Sequence, residues 1–300
     1  MPFSNEFMDN PHADRVRHVA RLSKAKARQR SGLFLVEGPQ SVRELVTYEP
    51  QLVKDLYIQA HADYQDAQDE GEAASEVVTR ILEHPHIRDM YVHYVSPEVM
   101  MQMSQDAQGI VAVADLGRMK SNSSDLAAMV QKRQENEPIR LAAFWEIRDP
   151  GNAGTVIRAA DAAGCDAVIF VGNCVDASNP KVVRSTVGSL FHIPLIRMAT
   201  DTFFTTMKDA AINVTAADVH GVEGQQSESL PELVNSESLG KDSMAVLFGN
   251  EARGLSDDIL RRCQKIVYIP MYGKAESLNL ATSAAIMLHT LAMSSHVGRI

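Results

Sequence analysis

Ile269-Pro-Met-Tyr-Gly-Lys-Ala-Glu-Ser-Leu-Asn-Leu280 is the stretch on which the reading of this chain turns. A β-branched run, Lys265–Ile269, leads into it and stops at Pro270, which has no amide to offer a sheet ladder. Gly273 permits a turn, and Ser277 is positioned to cap a helix that begins at Leu278 and continues through the apolar Ala281–Met293. Strand, turn and helix in that order leave Ser277, Asn279 and unpaired backbone amides facing one pocket, which suits a polar ligand or a ribose-phosphate edge. Taken alone, the same residues also describe an ordinary strand–turn–helix unit closing a domain. Two other segments decide between these readings.

Asp149-Pro-Gly-Asn-Ala-Gly-Thr-Val-Ile-Arg158 follows the apolar run Leu141–Trp145. Pro-Gly makes the turn, Asn152 is a candidate cap, and Arg158 lies about two turns along the helix that follows. The two residues need not share a face, so the reach of the Arg side chain must close the gap. Leu247-Phe-Gly-Asn-Glu-Ala-Arg-Gly254 ends another apolar strand and nearly spells a phosphate-binding loop. Leu255 stands where that loop needs its lysine, which disfavours nucleotide hydrolysis and leaves Glu251 free to orient a neighbouring arginine. No Gly-x-Gly-x-x-Gly follows a strand, so the dinucleotide fingerprint is absent. All three motifs sit at strand C-terminal ends, where open α/β sheets bind ligands.

Around these motifs, apolar strands expected at Leu141–Trp145, Ala167–Val171, Val214–Ala217, Met244–Phe248 and Ile266–Ile269 alternate with helices. The helices are expected at Ala153–Ala163, Lys181–Leu190, Thr202–Ala211, Asp257–Cys263 and Leu278–Met293. That alternation predicts a parallel sheet covered on both faces. Gly221–Asp242, rich in Gly, Gln, Ser and Glu, reads as a mobile surface excursion.

Upstream lies a smaller α/β pattern, with strands at Leu33–Glu37, Val53–Ile58, Tyr91–Val95 and Ile110–Leu116. Its helices are expected at Pro39–Tyr48, Tyr64–Glu83 and Pro97–Ser104. The division is therefore a basic helical stretch over 1–31, a small α/β domain over 32–117, a linker over 118–138 and a second domain over 139–300. In the first of these, Arg15, Arg17, Arg21, Lys24, Lys26, Arg28 and Arg30 crowd together with few acids among them. Such a cluster fits either a solvated helix or a phosphate-binding surface.

The chain has 300 residues, is 45% hydrophobic and carries a formal net charge of −9, which argues against indiscriminate coating of nucleic acid but not against a local basic face. No apolar run approaches the roughly 20 residues of a membrane span, and Met1–Asn10 has no export signal, so a cytoplasmic protein is expected. Cys165, Cys174 and Cys263 lack zinc-like or redox-like spacing, and no histidine pair has metal-ligand spacing. No metal is expected.

Taken together, the three motifs resemble the SpoU (TrmH-like) family of S-adenosylmethionine-dependent RNA ribose 2′-O-methyltransferases, over the whole domain from about Leu141 onward. Phe34-Leu-Val-Glu-Gly38 and Gln108-Gly-Ile-Val-Ala-Val113 resemble the start and end of the family's RNA-binding module. Only the segment just before Gln108 departs from the usual Thr-rich form. The resemblance implies a parallel sheet whose tail is tucked through a loop as a deep trefoil knot, a threading that general topology rules would not suggest. It also implies a homodimer in which each active site borrows groups from the other subunit. Matched positions put Gly249, Ile269 and Leu278 at S-adenosylmethionine, largely through backbone, and make Asn152, Arg158, Glu251, Ser277 and Asn279 the polar catalytic and substrate-positioning set.

Arg158 is then expected to bind the adjacent phosphate and the developing alkoxide, oriented by Glu251 and Asn152, because a guanidinium scarcely deprotonates in proteins. The sizeable N-terminal domain resembles the branch acting on ribosomal RNA more than the compact transfer-RNA branch. Alternatives are the same chemistry on transfer RNA and a catalytically silent RNA-binding protein that kept the scaffold.

Overall fold

A computed structural model describes residues 7–60, 75–117, 123–132, 138–235 and 242–295. The chain divides into two compact units, Met1–Lys120 with Asp176–His192, and Ser121–Val175 with Ile193–Ile300.

The first unit opens with two short helices, α1 (Asp14–Arg21) and α2 (Ala25–Ser31). Their apolar residues Val16, Val19 and Leu22 join the same core as Leu35, Tyr57, Val99 and Val111, so the basic stretch is built into this unit. Four strands follow, β1 (Leu33–Glu37), β2 (Val53–Gln59), β3 (Val92–Val95) and β4 (Ile110–Asp115), in the order β1-β4-β2-β3. Between them lie α3 (Pro39–Tyr48), α4 (Glu76–Leu82) and α5 (Pro97–Met103). The sheet is mixed, with only β2 and β3 parallel. Helix α3 buries Val42, Leu45 and Val46 at helical spacing and starts with Pro39, whose fixed φ suits a first turn. The helix expected over Tyr64–Glu83 lies partly outside the described residues; within them it is α4. Likewise the expected linker shows α6 (Ser123–Lys132) between segments outside them.

Three of the seven clustered cations are tied up within this unit. The Arg28 side chain is 2% exposed and donates to Asp176 at 2.6 Å, to the Ser178 hydroxyl and to the carbonyls of Leu22 and Ser23. Burial pushes the Asp176 carboxyl up, but hydrogen bonds from Arg28 and Ser178 outweigh it and hold the group below its ordinary value. Arg15 donates to Asp55 at 2.6 Å and to the Tyr57 hydroxyl at 2.9 Å, and Arg17 pairs with Asp14.

The second unit is a seven-stranded parallel sheet, β5 (Arg140–Trp145), β6 (Ala167–Val171), β7 (Leu195–Met198), β8 (Asn213–Ala217), β9 (Glu228–Ser229), β10 (Met244–Phe248) and β11 (Lys265–Tyr268). Their spatial order is β7-β6-β5-β10-β8-β11-β9. The inner strands are buried along nearly their whole length, as a sheet covered on both faces requires. Helix α7 (Pro150–Ala162) follows β5. After β6 the chain leaves this unit: Asp176–His192, containing α8 (Pro180–Ser185), belongs to the first. This differs from the division expected over 139–300. The helix expected at Lys181–Leu190 is also shorter, because Val187 and Gly188 adopt left-handed φ values of 55° and 100°. The return brings β7, a short strand that the apolar alternation did not announce. Helix α9 (Thr200–Asp209) precedes β8.

The Gly221–Asp242 stretch corrects another expectation. Its described part holds β9, which pairs parallel with β11, and α10 (Leu230–Val234), which buries Leu230 and Leu233. A reciprocal Ser229–Glu232 capping box starts that helix, so this part is regular structure anchored to the sheet edge by two buried leucines rather than an irregular excursion. Helix α11 (Asp257–Leu260) and the long α12 (Leu280–Ser295) complete the unit. No helix among the described residues is long and apolar enough to cross a membrane.

Candidate functional site

The site forms where β8, β10 and β11 end. Immediately after β10, Asn250 and Gly254 exchange backbone hydrogen bonds at 3.1 and 2.9 Å, closing a tight loop. A side chain on Gly249 would put its Cβ 2.4 Å from the Gly254 carbonyl carbon, so only glycine lets the loop fold against its own root. Asn250, buried at 8% exposure, pins the loop by donating to the Glu146 carbonyl at 2.7 Å.

Glu251 projects from this loop to the start of α7. Its carboxylate accepts from the backbone amides of Arg148 at 3.3 Å and Asp149 at 3.1 Å and from the Asn152 side-chain amide at 3.4 Å. Asp149 caps α7 by accepting from the Asn152 amide at 2.8 Å, correcting the expectation that Asn152 is the cap. A carboxylate suits the positive end of the helix better than a neutral amide, and its capping frees the Asn152 side chain.

The Asn152 Oδ1 atom in turn accepts from Asn279 Nδ2 at 3.1 Å. Asn279 Oδ1 accepts from the amides of Ala281 and Thr282, so Asn279 caps α12, which starts at Leu280. Ser277 had been expected to cap a helix starting at Leu278. The outcome is a chain Glu251–Asn152–Asn279 that ties together the three segments carrying the sequence motifs.

Beside this chain lies a cavity of about 450 Å³, within the roughly 300–1,000 Å³ of small-molecule sites. Gly249, Glu251, Ile269, Ser277 and Leu278 all line it. Asn152 and Asn279 stand next to it, joined to Glu251. Three carboxylates that the sequence reading did not assign to a site, Asp218, Asp257 and Glu276, also face the cavity. Asp218 directly follows β8, and the rule that ligands gather at strand C-terminal ends points to it. Leu255, Leu260 and Met287 supply apolar wall.

Arg158 is placed elsewhere. It is exposed on α7, does not line the cavity and has no hydrogen-bond or ion-pair partner among the described residues. The expectation that Glu251 and Asn152 orient it fails within one chain, because six residues of helix turn it roughly 120° from Asn152.

Neither of two cysteines in this unit offers a thiolate: burial pushes Cys165 and Cys263 up to about 12. Among the described residues no group of three or more His, Cys, Asp or Glu side chains could hold a metal ion.

The model of the SpoU rRNA Methylase family matches residues 140–289, and that of the MRM3-like substrate binding domain matches residues 13–112. The chain is similar to the 23S rRNA (guanosine(2553)-2′-O)-methyltransferase RlmP of Bacillus subtilis, at 30% identity over 277 residues, 92% of this chain and 95% of that protein. It is also similar to the 23S rRNA (uridine(2479)-2′-O)-methyltransferase of Streptomyces viridochromogenes, at 27% identity over 68% of each chain. An AdoMet-bound rRNA methyltransferase structure from Sinorhizobium meliloti shares the fold, with a TM-score of 0.75 at 24% identity over 100% of both chains.

Proposed function

The chain belongs to the SpoU rRNA Methylase family, and we propose that it transfers the methyl group of S-adenosylmethionine to a ribose 2′-hydroxyl of ribosomal RNA. The observation that carries this reading is the convergence of Glu251, Ser277, Gly249, Ile269 and Leu278 on one cavity. The cavity wall suits the methyl donor: apolar Leu255, Ile269 and Met287 can cover an adenine or a carbon chain, and Asp218, Glu251 and Glu276 are carboxylates for a cationic ligand. Bound there, S-adenosylmethionine would supply an already activated methyl group, so the protein's work is alignment and stabilisation of charge on the sugar oxygen.

Gly249, Ile269 and Leu278 hold the donor, mainly through backbone. Glu251 and Asn152 fix the start of α7 and, with Asn279, fix the loop carrying Ser277, which positions the ribose. Arg158 binds the phosphate next to the target sugar and the alkoxide developing at its oxygen. Because Arg158 does not line the cavity and has no partner among the described residues, it serves the site of a second copy. Such a homodimer is supported by α12, which buries Leu288 and Leu291 yet exposes Ile286 and Met293. The tail of the second unit is tucked through a loop as a deep trefoil knot, the first unit binds RNA, and the enzyme acts in the cytoplasm.

Labelled S-adenosylmethionine with unmodified ribosomal RNA tests the reading. Label recovered as one 2′-O-methylated nucleotide is the expected result, and no transfer to any ribosomal RNA would overturn it. Transfer to transfer RNA alone would move the substrate to the alternative class.

A further inference from the structure

A second cavity, of about 640 Å³, lies wholly within the first unit, where the catalytic reading leaves it unused. Glu37-Gly38 at the end of β1 and Gln108 just before β4 both line it, so the two sequence motifs of this unit converge there. Glu37 is 4% exposed and accepts from the Ser104 hydroxyl at 2.5 Å and from Arg184, which also pairs with Asp106 at 2.8 Å. A buried carboxylate thus fixes one guanidinium in the cavity wall.

Two lining residues adopt backbone conformations that L side chains avoid. Gln108 has φ 49° and Val187 has φ 55°, the latter unusual for a β-branched residue. Strain of this kind persists where the surroundings enforce it, and it concentrates at binding sites. Here it places a side-chain amide and an apolar side chain on the same cavity. Gln40 adds a second amide from the first turn of α3.

Arg43 and Arg80 complete the lining, each exposed and paired only with a local carboxylate, Glu44 and Glu76. The Arg80–Glu76 pair is exposed at both ends and exchanges partners at little cost, and the Arg43 guanidinium is itself exposed, so a phosphate can reach both.

We propose that this cavity receives one unpaired nucleotide of the RNA substrate. The amides of Gln40 and Gln108 read its base edge, Val77 and Val187 cover the base, and Arg43, Arg80 and Arg184 meet its phosphate. Amide side chains read base edges by paired donor and acceptor, and unpaired bases are what proteins read in RNA. The inference rests on RNA being the substrate and assigns part of its recognition to a site away from the methyl-transfer cavity.

The test uses the full chain and unmodified ribosomal RNA, comparing wild type with Gln108→Gly and Gln40→Ala. Gly at 108 relieves the left-handed strain, so Tm should not fall. RNA affinity should drop roughly tenfold in each variant, while the slope of affinity against salt and the affinity for S-adenosylmethionine stay unchanged. RNA affinity within twofold of wild type in both variants overturns the proposal, even where wild-type methyl transfer upholds the enzyme. Absent methyl transfer by the wild type counts against the enzyme reading instead, and RNA binding still tests the cavity. Uridine and adenosine monophosphates serve as competitors. Tight binding of either that the variants lose, with RNA affinity intact, would make this a free-nucleotide site and also overturn the proposal.

Discussion

At the scale of single residues, the site depends on which polar group caps which helix. Asp149 and Asn279 take the two caps, and the amide of Asn152 is left to join Glu251 to Asn279. Sequence alone shows Asp149 and Asn152 three positions apart, either able to cap, and the choice depends on charge at the helix end. Arg158 is the opposite case: its position on α7 was legible from spacing, but its lack of a partner among the described residues was not. An exposed helix arginine in this setting either stays solvated or acts on another molecule. Arg158→Ala should abolish methyl transfer with S-adenosylmethionine affinity nearly unchanged, and Asn279→Ala should also abolish it by loosening the loop of Ser277 and Leu278, with a fall in S-adenosylmethionine affinity beside it. If Arg158 works on a second copy, subunit exchange between the two inactive variants restores transfer, because one site of the mixed dimer keeps both groups. Mixed dimers that stay silent would return Arg158 to its own chain.

Among elements, the strands of the second unit were the most readable. Runs such as Ala-Val-Ile-Phe-Val at β6 and Met-Ala-Val-Leu-Phe at β10 are apolar at nearly every position, and the observed limits match the expected ones. Elements that depend on a partner strand or a cap were harder to see. The two residues of β9 are a strand only because β11 lies beside them. Ser229-Leu-Pro-Glu232 carried a visible capping signature, but the polar composition around it hid the signal. The loop after β10 lines the proposed donor cavity, and Gly249 is its tightest point. Gly249→Ala forces a shift of backbone rather than of a flexible side chain, at a cost of about 1–3 kcal/mol as for other overpacked positions. Calorimetry should therefore show S-adenosylmethionine affinity reduced more than tenfold, with a smaller fall in Tm. Affinity equal to wild type would mean that the loop tolerates the shift and that Gly249 is not needed at the donor.

For the whole molecule, the question is how a chain of net charge −9 binds a polyanion. The seven N-terminal cations offered an answer in sequence, but long-range pairing has divided them. Arg28 is spent on Asp176, which is 148 positions away and could not be foreseen from local pattern. Arg15 and Arg17 are paired with Asp55 and Asp14. Arg21, Lys24, Lys26 and Arg30 are exposed and have no ion-pair partner among the described residues, which makes them the candidates for contact with phosphate. Truncating the whole N-terminal stretch would therefore confuse two effects. Loss of Arg28 alone should cost about 3 kcal/mol, near the low end for a broken buried pair because Asp176 keeps some water. Replacing only Arg21, Lys24, Lys26 and Arg30 with glutamine separates affinity from folding. Tm should hold, S-adenosylmethionine affinity should hold, and the slope of log affinity against log salt should flatten by up to roughly 3 for phosphate contacts on unpaired strands. A wild-type slope in that variant would mean that RNA is gripped elsewhere and that these four cations serve only as a solvated surface.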